Sequence, residues 1–160
     1  MKIILFGATG MVGQGVLREC LRDPGVTEVL AVGRSVPAQR DPKLRSLVPP
    51  DFYDFSGVAD ALNGFDACLF CLGVSSAGMK EADYRRVTRD LTLAAARVLA
   101  ERNPGLAFLY VSGAHTDGTE KGRSMWARVK GETENALLRL FPRAFMVRPG
   151  YIHPAHGERS

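Results

Sequence analysis

The sequence of 160 residues is poor in cysteine, with Cys20, Cys68 and Cys71 the only three. So few thiols, in apolar settings, exclude a disulfide framework of the kind that staples small secreted domains. Cys68-Leu69-Phe70-Cys71 has the C-x-x-C spacing of redox and zinc sites, but it lies inside an apolar run of strand length. Residues three apart in a strand face opposite sides of the sheet, so two buried structural thiols are expected there. Long hydrophobic runs are missing too. None approaches the ~20 residues that span a bilayer, and the first apolar stretch is too short for a secretory signal. These absences set the expectation of a cytoplasmic protein with no membrane partner. Internal repeats, low-complexity tracts and linkers are also lacking, so residues 1–160 read as one domain with room for a full core.

What is present is ordinary for a soluble globular chain: 46% hydrophobic and 24% charged residues. The net charge of +4 is uneven, since residues 121–160 carry eight Lys or Arg against three acids. Interleaved exposed aromatics and a DNA-binding helix pair are absent from that stretch, so nucleic acid is not the expected partner. Attraction of an anionic cofactor or substrate accounts for the charge as well.

The chain opens on the apolar run Lys2 to Phe6, followed by Gly7-Ala8-Thr9-Gly10-Met11-Val12-Gly13. A helix-period stripe of Val12, Val16, Leu17, Cys20 and Leu21 then takes over. Gly7 permits a tight exit from the strand, Gly10 a close backbone approach to a ligand, and Gly13 close packing of helix on sheet. The free N–H groups and positive end of the new helix favour a pyrophosphate. Further strands are expected at Val29–Val32, Phe52–Phe55, Ala67–Leu72, Leu106–Val111 and Ala144–Val147. A short helical turn is expected at Val58–Leu62, and helices at Met79–Arg102 and Ser124–Leu140. Strands alternating with helices define the α/β class: a doubly wound parallel sheet of about six strands, covered on both faces.

Ligands of such sheets sit beyond the carboxyl ends of the strands. After the second strand, Gly33-Arg34-Ser35 offers no carboxylate for ribose hydroxyls. It offers instead a guanidinium fork and a hydroxyl suited to a 2′-phosphate, which favours NADP over NAD. Asp54 either accepts from an adenine amino group or caps the helical turn begun at Ser56. Leu72-Gly73 brings backbone close to the cofactor, and Ser112-Gly113-Ala114-His115 emerges near the nicotinamide position.

These residues, with Lys130 and Arg148-Pro149-Gly150, make the chain resemble the atypical or extended short-chain dehydrogenase/reductases, close to the NAD(P)-dependent epimerase/dehydratase-like proteins. The resemblance implies a Rossmann-type sheet of order 3-2-1-4-5-6 and a nicotinamide dinucleotide. It implies an oxidoreductase acting on a small carbonyl or alcohol, through a serine, tyrosine and lysine. Ser112 matches the serine and Lys130 the lysine. Trp126 stands four residues before Lys130, where the tyrosine belongs, and an indole N–H only donates. Trp126 is then either core or a wall of the nicotinamide pocket. His115 is the candidate substitute acid, with Tyr84 and Tyr151 behind it. The cofactor set expected is Gly7, Thr9, Gly10, Met11, Val12, Gly13, Arg34, Ser35, Asp54, Leu72, Gly73 and Lys130. The catalytic set is Ser112, Lys130 and His115. A competing reading is a non-catalytic NADP(H)-sensing protein that regulates a partner. A short tail from about Tyr151 stands where the family usually continues into a substrate lid, and a homodimer is one way to bury the surface left open. His153 and His156 in that tail lack a matching acid or cysteine, so no metal site is expected.

Overall fold

The computed structural model describes residues 1–154. The elements in chain order are β1 (Lys2–Phe6), α1 (Met11–Arg22), β2 (Glu28–Val32), β3 (Leu44–Leu47), a 3-10 turn (Ser56–Leu62) and β4 (Ala67–Phe70). There follow α2 (Glu81–Arg85), a wide helical turn (Arg86–Asp90), α3 (Leu91–Arg102), β5 (Ala107–Val111), α4 (Met125–Leu140) and β6 (Arg143–Val147). Among the described residues all strand pairs are parallel, and the six strands lie in the order β3-β2-β1-β4-β5-β6. The expected class and strand order are therefore the observed ones.

Period-two alternation sorts the strand residues onto two faces. Ile4, Phe6, Leu30, Val32, Cys68, Phe70, Phe108 and Tyr110 form one core with Leu93, Ala96 and Leu99 of α3 and Leu137 of α4. The parallel register places Phe6 beside Phe70, and Phe70 leans on Phe108, with ring centroids 5.0 and 5.9 Å apart. Phe141, just past α4, stacks on Phe108 at 4.8 Å and closes the ladder. On the other face, Ile3, Leu5, Val29, Ala31 and Ala67 pack against Leu17 and Cys20 of α1. Cys68 lies in the first core and Cys71 beside the second, so the two thiols diverge as their spacing requires. Burial pushes both thiols up, Cys71 to about 12, which leaves them protonated and unreactive.

The third strand is corrected. It is Leu44–Leu47, paired with Val29–Val32, and not Phe52–Phe55. As an edge strand exposing Arg45 and Ser46, it has no apolar run to announce it. Phe52 and Phe55 look like a strand but form a loop aromatic pair, edge-on at 6.2 Å, with Phe55 buried against Phe6. The long helix expected over Met79–Arg102 is interrupted. Arg86–Asp90 forms a π-type turn, in which the Leu91 N–H reaches back to the Arg86 carbonyl. The expected turn at Val58–Leu62 begins two residues earlier, at Ser56.

One face of β5 and β6 is left partly open. Phe145 and Val147 are exposed on it, and a groove of about 410 Å³ runs there between α1 and the sheet, with Val111 and Ile152 on its walls.

Candidate functional site

Close packing fixes the loop from β1 to α1. Gly7 has φ of 84°, and a Cβ there would stand 2.9 Å from the Cys71 carbonyl carbon, where the chain leaves β4. At Gly13 a Cβ would stand 1.8 Å from the Gly7 carbonyl oxygen, so only glycine lets α1 start this near the sheet. The Gly10 N–H donates to Gly7 O at 3.0 Å, which tightens the turn. Gly10 is the N-cap residue of α1, no side chain caps that end, and its first turn carries no acid. The first-turn N–H groups at Met11, Val12 and Gly13 have no intrahelical acceptor. A 12-residue helix thus presents an uncapped positive end to the carboxyl edge of the sheet, and Thr9 stands exposed beside it.

A second feature opens beside that loop. Arg34, after β2, and Leu72 and Gly73, after β4, line a cleft of about 380 Å³ with Phe52, Tyr53 and Val87. Arg34 is exposed there, and Ser35 is exposed next to it. Asp54 does not end a strand. Its Oδ1 accepts the Ser56 N–H at 2.9 Å, capping the 3-10 turn, and that hydrogen bond holds the carboxyl below its ordinary range. The carboxylate that does line the cleft is Asp51, a residue the sequence reading passed over.

The third feature is at the ends of β5 and β6. Ser112 is buried, and its hydroxyl donates to Glu134 Oε1 at 2.5 Å, with Val147 O at 3.3 Å. Glu134, only 2% exposed, also receives both Nε and Nη2 of Arg148, at 3.0 and 2.5 Å. The Ala114 N–H donates to Pro149 O at 2.8 Å, so the loops after the two strands are tied together. Lys130, one turn before Glu134, reaches the Ser112 carbonyl at 3.4 Å and lies 5.7 Å over the Tyr110 ring. Burial lowers its ammonium pKa, and the Glu134 charge partly restores it.

Trp126 is half-buried and packs over Gly113, 3.6 Å from where a Cβ would stand. It is a wall beside the Ser112 loop and not part of the fully buried core. His115 is exposed and holds φ of 68°, in the left-handed region. Tyr84 is buried with its phenol pKa raised by desolvation, whereas Tyr151 is 87% exposed. No group of three or more metal-ligating side chains occurs among the described residues. His153 lies on the rim of the groove beside α1, and His156 falls outside the described residues. The functional partner missed from sequence is Glu134. Its signal was the i,i+4 spacing from Lys130, which puts both on one helical face.

Fold and strand-end loops together define an α/β domain of Rossmann type. Solved structures share it at low identity. The oxidoreductase YlbE of Lactococcus lactis superposes with a TM-score of 0.75 at 19% identity, covering 98% of this chain and 72% of that one. DesIV of Streptomyces venezuelae, a dTDP-glucose 4,6-dehydratase solved with NAD and TYD bound, gives 0.72 at 18% identity, over 92% of this chain and 55% of that one. WbmF of Bordetella bronchiseptica, in complex with NAD+, gives 0.71 at 17% identity, over 92% and 48%. The chain thus shares the Rossmann-type fold of these oxidoreductase and dehydratase structures, the fold that the resemblance read from its loops implies.

Among curated proteins the chain is similar to fungal relatives. It is 30% identical to protein fmp52, mitochondrial, of Emericella nidulans over 159 residues, covering 94% of this chain and 66% of that protein. It is 28% identical to FMP52 of Saccharomyces cerevisiae over 164 residues, covering 68% of that protein. The chain spans 66% of the length of the first curated relatives it matches. No family model matches it. The expectation of a cytoplasmic location is overturned, because these relatives are named mitochondrial. Among the described residues no helix is long and apolar enough to cross a membrane.

Proposed function

We propose that the chain is an NADP(H)-binding domain of short-chain dehydrogenase type in which the family's proton relay is not assembled. The observation that supports this most is one of placement. The uncapped, acid-free start of α1 and the exposed Arg34 stand at neighbouring strand ends on the same edge of the sheet. In this reading Gly7, Thr9, Gly10, Met11 and Val12 cradle the pyrophosphate, with Gly13 keeping the helix end within reach. Arg34 and Ser35 take the 2′-phosphate, while Leu72 and Gly73 lie along the adenosine half. Lys130 holds the nicotinamide ribose through its ammonium hydrogens.

The nicotinamide supplies a hydride when it is bound. The protein side then has to move a proton, and here the family pattern departs. Ser112 gives its hydrogen to Glu134, and Trp126 carries only an indole N–H. His115 is the remaining acid–base candidate at that loop. A small carbonyl or alcohol is the substrate class if hydride is transferred. The second reading, a dinucleotide sensor without turnover, is favoured by the Ser112–Glu134 bond and by Trp126. NADPH consumption against a carbonyl panel separates the two. Turnover that disappears in His115→Ala supports the oxidoreductase; tight binding with no turnover supports the sensor. No binding of either nicotinamide nucleotide in calorimetry rejects both.

A further inference from the structure

We propose that the groove between α3 and α4 docks an acidic amphipathic helix of a partner protein, with Arg97 and Arg139 as its charge anchors. The two helices pack side by side over the core that holds Phe70 and Phe108. Between them runs a groove of about 280 Å³, lined by Arg89, Leu93, Arg97, Ala136, Arg139 and Leu140. No residue of the strand-end loops lines it, so this inference stands apart from the dinucleotide reading. The lining holds three guanidiniums and no carboxylate. Arg89 is balanced from outside the groove, by Asp90 at 3.1 Å and Glu132 at 3.7 Å. Arg97 and Arg139 are exposed, and among the described residues neither has a carboxylate within ion-pair distance. Glu101, one turn further along α3, does not reach Arg97. Arg139 complements the carboxyl end of α4, but Arg97 is mid-helix, so no helix end accounts for its charge.

The shape and charge of the groove select its occupant. Leu93, Ala136 and Leu140 give an apolar floor, and Arg97 on α3 and Arg139 on α4 stand on opposite walls. A helix laid between two helices presents an apolar seam to such a floor and flanking side chains to such walls. Glutamates flanking that seam would meet Arg97 and Arg139 by charge-assisted hydrogen bonds. Other occupants fit less well. A two-fold axis through the groove would set both arginines against their own copies, so like charge opposes a second copy of this chain. Leu93 is only 3% exposed, so the floor is recessed below the guanidiniums and a flat bilayer surface does not reach it. No aromatic side chain lines the groove to stack on a nucleic-acid base.

Fluorescence polarisation with a labelled synthetic peptide tests this. The probe has leucine at the seam positions of each heptad and glutamate flanking them, over about 21 residues so that it forms a helix. Wild type should bind it, more weakly as salt rises, and should not bind the counterpart with lysine in place of glutamate. Arg97→Glu and Arg139→Glu should each weaken binding by about tenfold or more, with the fold confirmed by circular dichroism. Arg22→Glu makes the same change of charge at an exposed site on α1, and should stay within about twofold of wild type. No binding of the acidic peptide, or an equal loss in Arg22→Glu, overturns the proposal. So does stronger binding of phosphatidylglycerol-containing vesicles or a DNA duplex that is lost in Arg97→Glu, which makes the groove a membrane or nucleic-acid site. A wild-type dimer whose dissociation constant shifts in Arg97→Glu makes a second copy the occupant and overturns it as well.

Discussion

Ser112 donates its hydroxyl hydrogen to the buried carboxylate of Glu134 at 2.5 Å, and Glu134 in turn holds the Arg148 fork. That bond joins the end of β5, the middle of α4 and the chain after β6 at the carboxyl edge of the sheet. It changes the meaning of Ser112. A hydroxyl aimed into a protein network ties strands together, and cannot donate the same hydrogen to a substrate oxygen.

Glu134→Ala should therefore be costly. It leaves Arg148 without its partner and a buried Ser112 hydroxyl with only Val147 O, and a loss of about 3 kcal/mol is expected. Ser112→Ala should cost about 1–2 kcal/mol, since Glu134 keeps the fork of Arg148. Urea denaturation measures both. NADPH affinity should stay close to wild type in Ser112→Ala, as the dinucleotide contacts proposed for this chain do not use the serine hydroxyl.

The glycines divide sharply by contact. Gly13→Ala and Gly131→Ala each place a Cβ 1.8 Å from a backbone oxygen, of Gly7 and Asp117 respectively. Each should lose about 2–3 kcal/mol or more, since backbone has to move. Gly15, in the same helix as Gly13, meets nothing within 4 Å. Gly15→Ala should gain about 0.5–1 kcal/mol by helix propensity. Equal effects at Gly13 and Gly15 in thermal melts would contradict the packing described for the nucleotide loop.

Acid should weaken the fold, in part through Glu132. The Arg85 hydrogen bonds hold its carboxyl below the ordinary value of 4.5, with Arg89 and Arg128 adding charge. A group depressed in the folded state contributes stability above its unfolded pKa and loses it as pH falls through the folded one. Stability should thus drop below about pH 4.5, and Glu132→Gln should flatten that drop. Lys130 acts at the other end. Its lowered pKa means the unfolded chain holds the proton more tightly, so this residue's contribution to stability rises with pH toward 10.5. Urea midpoints across the pH range, for wild type and each variant, check the two signs.

Trp126→Tyr restores a phenol one helical turn from Lys130. The adjacent ammonium should lower that phenol's pKa below the free-tyrosine value of about 10, measurable by ultraviolet pH titration against wild type. With Ser112 still bonded to Glu134, this substitution alone should not create carbonyl reductase turnover.

Much of this architecture was legible in the residues. The β1–α1 unit was, because an apolar run, three spaced glycines and a helical stripe all demand one geometry. The diverging thiols of Cys68 and Cys71 followed from strand periodicity. β3 was not legible, because an edge strand that half-buries only Leu44 and Leu47 needs no apolar run, and Phe52 with Phe55 imitated one from a loop. The wide turn at Arg86 was hidden because i,i+4 spacing continues through it while one residue is absorbed. Ser112 was found by resemblance, but the direction of its hydroxyl depends on Glu134, 22 positions away. Local pattern gives a residue its address and leaves its partner to the tertiary fold.

The central claim is that this domain binds a nicotinamide dinucleotide and reads its 2′-phosphate through Arg34. The most direct measurement is fluorescence titration of wild type and Arg34→Ala with NADPH and NADH. Wild type should prefer NADPH, and Arg34→Ala should lose about tenfold for NADPH while leaving NADH unchanged. Equal affinity for the two nucleotides in wild type, with no loss in Arg34→Ala, would contradict it.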